Sequence, residues 1–217
     1  MVILGLTGSI GMGKSAAANH FRRLGVPVHD ADATVHSLLA KGGEAVSRIA
    51  ELFPGAIKDG AVDHATVARE VFEDPPALER LEAVLHPLVR RSETAFLSAS
   101  ARRGCRLVVL DIPLLFETAA DARCDAVVVV SCRRFIQERR VLGRPGMTRE
   151  RFESILAHQM PDAEKRRRAD FVVRTGLGRA FGLNQVRNIV TIASCWRGAK
   201  WPPPPCPTGR RKGKADA

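Results

Sequence analysis

The chain has 217 residues, of which 45% are hydrophobic and 26% charged, with a net charge of +11 and five cysteines. This length suits one domain with a sizeable core, and the ordinary globular composition argues against disordered, collagenous and membrane-embedded classes. The longest apolar runs, such as Ala126–Val130 and Leu107–Leu110, fall far short of the about 20 residues that cross a bilayer, and the cysteines form no Cys-x-x-Cys pair of the disulfide or zinc type.

From the N-terminus, Val2–Leu6 reads as a short buried strand, without the basic region and small-residue cleavage site of a signal peptide, so a cytosolic protein is expected. The strand runs into Gly8-Ser-Ile-Gly-Met-Gly13-Lys14-Ser15, a match to Gly-x4-Gly-Lys-Ser, and then into a helix over Lys14–Leu24. Strand, glycine loop and helix in that order form a phosphate-binding loop. The glycines let successive N–H groups turn inward, and the helix adds its positive end. The stretch Gly8, Gly11, Met12, Gly13, Lys14, Ser15 and Ala16 is therefore expected to bind the phosphates of ATP, with Lys14 on the β- and γ-phosphates and Ser15 on Mg²⁺.

A second strand, Val26–His29, ends in Asp30 and Asp32. Ligands of parallel sheets sit beyond the carboxyl ends of the strands, so both acids point toward the site. Asp30 is either an N-cap of a helix starting near Thr34 or a site residue, and Asp32 is the one favoured for chemistry. The six histidines lack metal-ligand spacing, and although His29, Asp30 and Asp32 lie close enough together to suggest a metal site, the strand-end acid pair has a better use. A helical insertion, about residues 34–101, follows, broken at Phe53-Pro-Gly55 and at Asp74-Pro-Pro76, and is expected to clasp the second substrate.

Leu107–Leu110 is a buried strand ending in Asp111, either a carboxylate acting on Mg²⁺ or an acceptor that organises the loop before Pro113. Leu114, Leu115 and Phe116 read most simply as core. Beyond the strand Ala126–Val130, Arg139, Arg140, Arg144, Arg149 and Arg151 crowd around a Pro145-Gly146 break, with Thr148 as an N-cap. This stretch, about residues 133–160, reads as a lid whose arginines close over the triphosphate. Lys165–Arg168 reads as a solvated helix face. Phe171–Val173 is the last strand. Residues 196–217 read as a disordered basic, proline-rich tail holding nearly half of the excess positive charge.

The fold class is therefore α/β, three layers around a parallel sheet, with residues 1–195 as the kinase domain. The acceptor is not named by these features. A small-molecule kinase of the nucleoside-monophosphate type fits them, whereas a nucleic-acid-binding protein lacks any recognisable module, and the chain contains no tyrosine.

A longer string of motifs spans nearly all of residues 1–190: Leu6-Thr-Gly8, Asp30-Ala-Asp32, Leu85-His-Pro87, Asp111-Ile-Pro-Leu-Leu-Phe-Glu117, the Arg140/Arg144 pair before Thr148, and Gln159. Together these resemble the dephospho-coenzyme A kinase family. The resemblance implies transfer of the ATP γ-phosphoryl group to the ribose 3′-hydroxyl of dephospho-coenzyme A, with Asp32, Lys14 and Arg140 catalytic. It also implies Arg140 and Arg144 on phosphate, and Thr7, Asp32, His86 and Leu114 on the acceptor side. His86 is alternatively a buried histidine bonded to backbone. One position departs from the family, Thr175 standing where Asn is usual near the adenine. No membrane and no specific nucleic acid are expected as partners.

Overall fold

The computed structural model describes residues 1–202, without the side chains of Phe72, Glu73 and Pro75. The elements run β1 (Val2–Thr7), α1 (Lys14–Arg23), β2 (Val28–Asp30), α2 (Ala31–Leu39), α3 (Val46–Leu52), β3 (Ile57–Lys58), β4 (Ala61–Val62), α4 (His64–Glu73) and α5 (Pro75–Arg102). They continue as β5 (Leu107–Asp111), β6 (Ala126–Ser131), α6 (Arg134–Leu142), α7 (Arg149–Ala157), α8 (Asp162–Arg168), β7 (Phe171–Arg174) and α9 (Arg179–Ala193).

Five strands form one parallel sheet in the order β2-β5-β1-β6-β7. Successive side chains of a strand face opposite ways, so continuous apolar strands feed two cores. Val2, Leu4 and Leu6 of β1 join Val128 and Val130 of β6 with Phe21 of α1 and Val186 and Ile189 of α9. On the other face, Ile3, Val108, Leu110, Val127 and Val129 meet Leu97 of α5 with Leu115 and Phe116. The expected three layers follow. The insertion, α2 to α5, builds a third apolar cluster around Leu39, Ile49, Phe53 and Leu88.

Several sequence expectations shift. The second strand is Val28–Asp30 rather than Val26–His29, and α2 begins directly at Ala31, so Asp32 lies on its first turn. Asp30 is the N-cap, its Oδ1 accepting from Ala33 N at 3.0 Å. Phe53-Pro-Gly55 and Asp74-Pro-Pro76 break the helices as expected. The β3–β4 hairpin was not anticipated, although Asp59-Gly60, both at positive φ, is a strong turn signal.

Two surface expectations are overturned. Lys165 is fully buried, its Nζ 2.8 Å from Glu117 Oε1, so only part of Lys165–Arg168 is solvated. The start of the expected disordered tail is docked: Ala199 N and Lys200 N donate to Asp125 Oδ1 at 2.6 and 3.1 Å, and Trp201 packs on the second core. Residues 203–217, the rest of that tail, lie outside the described residues.

Candidate active site

The site forms where β1, β2 and β5 end side by side. The loop Gly8–Ser15 leaves β1 in a tight turn closed by Met12 N donating to Ser9 O at 3.1 Å. Two glycines are required by conformation and by space. Gly11 has φ 77° and Gly13 φ 94°, and added Cβ atoms would stand 2.4 Å from Val141 Cγ2 and 3.0 Å from Thr175 Oγ1. Any larger residue would open the loop.

Lys14 begins α1, with Ser15 and Ala16 exposed beside it. Its Nζ stands 2.8 Å from Asp111 Oδ1 and 3.8 Å from Asp32 Oδ2. Asp111 is paired in register with Asp30 of β2 and Leu6 of β1, which fixes it at the carboxyl edge of the sheet. Burial pushes the Asp111 carboxyl above its ordinary range, Lys14 opposes this, and Asp30 and Asp32 add to it. The ammonium thus bridges one buried and one exposed acid.

A cleft of about 550 Å³ is lined by Lys14, Ser15, Asp32, Arg140, Arg144 and Gln159 together with the glycine loop. Residues far apart in sequence converge here, as their motifs suggested. Arg140 reaches back over the loop: Nη1 donates to Gly11 O at 3.3 Å, Met12 O at 3.4 Å and Thr175 Oγ1 at 3.0 Å, and Nη2 to Thr175 O at 2.9 Å. The hydroxyl of Thr175 donates to Met12 O. The residue that departs from the family pattern therefore braces both the loop and the lid arginine. Arg134 and Arg149 instead pair with Glu138 on the surface.

Other predicted residues land elsewhere. Thr7 is buried and its hydroxyl donates to Pro113 O at 2.7 Å, so it ties β1 to the segment after β5 rather than facing substrate. The Met12 side chain lies in the core, its Sδ accepting from Cys132 N at 3.2 Å; only its backbone belongs to the loop. Leu114 is 39% exposed, which corrects the core reading for it, while Leu115 and Phe116 are core. His86 is exposed on α5, so the buried alternative fails, and it lines none of the clefts described here.

A second cavity of about 480 Å³ opens between α2 and α5, walled by Val28, Leu38, Leu88 and Phe96 and edged by Thr34, Ser92 and Arg91. It adjoins Asp30 and lies on the insertion side. Sequence reasoning also missed Gln137, whose Nε2 donates to Ile10 O at 2.8 Å, because a glutamine inside a helix carries no distinguishing signal.

The family model for dephospho-CoA kinase matches residues 2–177. The chain belongs to the dephospho-CoA kinase family. Among curated relatives, the dephospho-CoA kinase of Paramagnetospirillum magneticum is 62% identical over 166 residues, 76% of this chain and 78% of that protein. That of Rhodospirillum rubrum is 51% identical over 205 residues, 92% and 97% of the two chains. A crystal structure of a Thermus thermophilus protein superposes with a TM-score of 0.78 at 38% identity, covering 88% and 96%. The dephospho-CoA kinase structure from Campylobacter jejuni, at 20% identity and a TM-score of 0.60, covers the same share of this chain and shares the fold. The match to the family model covers the glycine loop, the insertion α2–α5, helices α6 and α7, and β7.

Proposed function

We propose that this kinase transfers the γ-phosphoryl group of ATP to the ribose 3′-hydroxyl of dephospho-coenzyme A, giving coenzyme A and ADP, the last step of coenzyme A biosynthesis. The observation that carries this is the meeting of Lys14, Asp32 and Asp111 at the mouth of the phosphate loop, in a chain of this family.

The loop N–H groups and the α1 terminus bind phosphate oxygens, and Lys14 leaves its carboxylates for the β- and γ-phosphates. Ser15 and Asp111 supply a hydroxyl and a carboxylate, hard oxygen donors suited to Mg²⁺, which when bound neutralises phosphate charge. Asp32, with its side chain 69% exposed at the cleft, accepts the proton of the acceptor hydroxyl. That oxygen bonds to the γ-phosphorus as the bond to the bridging oxygen of ADP breaks. Arg140 exchanges its carbonyl partners for the charge on the transferring group, and Arg144 does the same from the cleft wall. In this reading Leu114 and the α2–α5 cavity take the acceptor, and His86 stands on α5 just before the cavity-lining Leu88.

The test is ADP release measured with dephospho-coenzyme A and with nucleoside monophosphates in parallel. Turnover confined to dephospho-coenzyme A, with 3′-phosphorylated product, is expected; turnover confined to a nucleotide would overturn the assignment.

A further inference from the structure

Glu117 closes the segment that begins at Asp111, yet it lies outside the cleft. Its Oε1 accepts from Met160 N at 2.8 Å and stands 2.8 Å from Nζ of the fully buried Lys165. An isolated buried ion pair is commonly no more stabilising than apolar residues of the same volume, so stability alone explains it poorly. Its geometric effect is specific. The pair fixes the peptide joining Gln159 to Met160, and Gln159 is the residue whose Oε1 accepts from Ile10 N at 3.1 Å.

Ile10 sits in the phosphate loop, and both of its backbone polar groups are taken by glutamines. Gln159 holds the N–H, while Gln137, 2% exposed on α6, donates to the carbonyl at 2.8 Å. The orientation of this residue sets that of the Gly11–Gly13 peptides, whose N–H groups must converge on phosphate for the loop to work. The carboxylate of Glu117 is thus one residue removed from a direct grip on the loop.

We infer that Glu117 and Lys165 are positioning residues for the phosphate loop, holding the Met160 peptide so that Gln159 fixes Ile10. This rests on the proposed binding of ATP at that loop. Affinity for Mg·ATP is measured by calorimetry on the full chain for wild type, Glu117→Ala, which removes the acceptor of the Met160 N–H, Gln159→Ala and the double variant, well below each melting temperature. Absence of ATP binding in the wild type would remove the proposed function itself; binding in the wild type with unchanged affinity in Glu117→Ala would overturn only this inference.

Each single substitution is expected to weaken ATP binding by roughly five- to twenty-fold, and the double variant by no more than Gln159→Ala alone, because both break one relay. Additive losses would show that Glu117 acts separately, and would overturn the relay. If Glu117→Ala does not fold, the paired replacement Glu117→Leu with Lys165→Met removes both charges together at similar volume and must show the same loss. A paired variant that folds and binds ATP like the wild type would equally overturn it.

Discussion

Lys14 Nζ and Asp111 Oδ1 stand 2.8 Å apart across the carboxyl edge of the sheet, with Asp111 only 1% exposed. The pair holds the lysine beside the glycine loop and keeps a buried carboxylate compensated. Lys14→Met should reduce kcat/KM by about 10²- to 10³-fold, the usual cost of losing one charge-stabilising group. It should also lower the melting temperature by roughly 5–10 °C, because Asp111 is left buried and unpaired. Adding Asp111→Asn removes that carboxylate and should restore melting without restoring turnover. A double variant that melts no higher than Lys14→Met would show that the pair does not carry this cost.

The phosphate loop was legible in the sequence because its glycines are set by backbone conformation, which leaves a fixed spacing in the chain. The sheet was legible because uninterrupted apolar runs admit few places other than a buried parallel sheet. Lys165 was misread because a charge beside Arg166, Arg167 and Arg168 looks solvated, and its partner Glu117 lies far away in sequence. The role of Thr175 was hidden for the same reason, since Arg140 and Met12 come to it only through the fold. Asp59-Gly60, by contrast, is a local signal, since both residues of the turn take positive φ.

Asp125 joins both ends of the described chain. One carboxylate oxygen accepts from Ile3 N at 2.8 Å, and the other accepts from Ala199 N and Lys200 N. Asp125→Ala leaves these donors without their acceptor, at a cost of about 2 kcal/mol or more, which corresponds to a fall of roughly 5 °C in melting temperature. Asp125 precedes β6, at the edge of the sheet opposite the cleft, so kcat and KM at 25 °C should not change. Melting equal to wild type would show that the docked segment contributes nothing to stability.

His29 gives the fold a pH dependence whose sign follows from its burial. It packs against Phe96, with Nε2 3.2 Å from Ser92 Oγ and 3.3 Å from Thr34 Oγ1. Burial lowers its pKa below 6.5, outweighing the opposing pull of Glu93 and Asp30. The folded state therefore prefers neutral imidazole, and this contribution is full above the unfolded value near 6.5. It is lost as pH falls from there toward the lower folded value, where the unfolded chain binds the extra proton. His20 is shifted the same way, also chiefly by burial. Thermal unfolding from pH 8 to pH 5 should show wild type losing stability over this window and His29→Gln losing less. Parallel curves for the two proteins would assign the slope to other groups.

Asp32 has two possible jobs that one substitution separates. It lies on the first turn of α2, 3.8 Å from Lys14 Nζ and open to the cleft, a place from which a carboxylate can reach either a hydroxyl proton or a cation. If it accepts the 3′-hydroxyl proton, Asp32→Asn keeps the size and one acceptor oxygen but removes the basicity. A general base contributes about 10²- to 10⁴-fold, so kcat should fall by that order with little change in affinity for ATP or dephospho-coenzyme A. If it instead serves Mg²⁺, the variant should bind Mg·ATP more weakly, and a higher Mg²⁺ concentration should restore part of the rate. The exposed position, with Asp111 already beside Lys14, favours the base. Measuring kcat and KM at low and high Mg²⁺ decides between them, and a kcat within a few-fold of wild type at both concentrations would rule out either role.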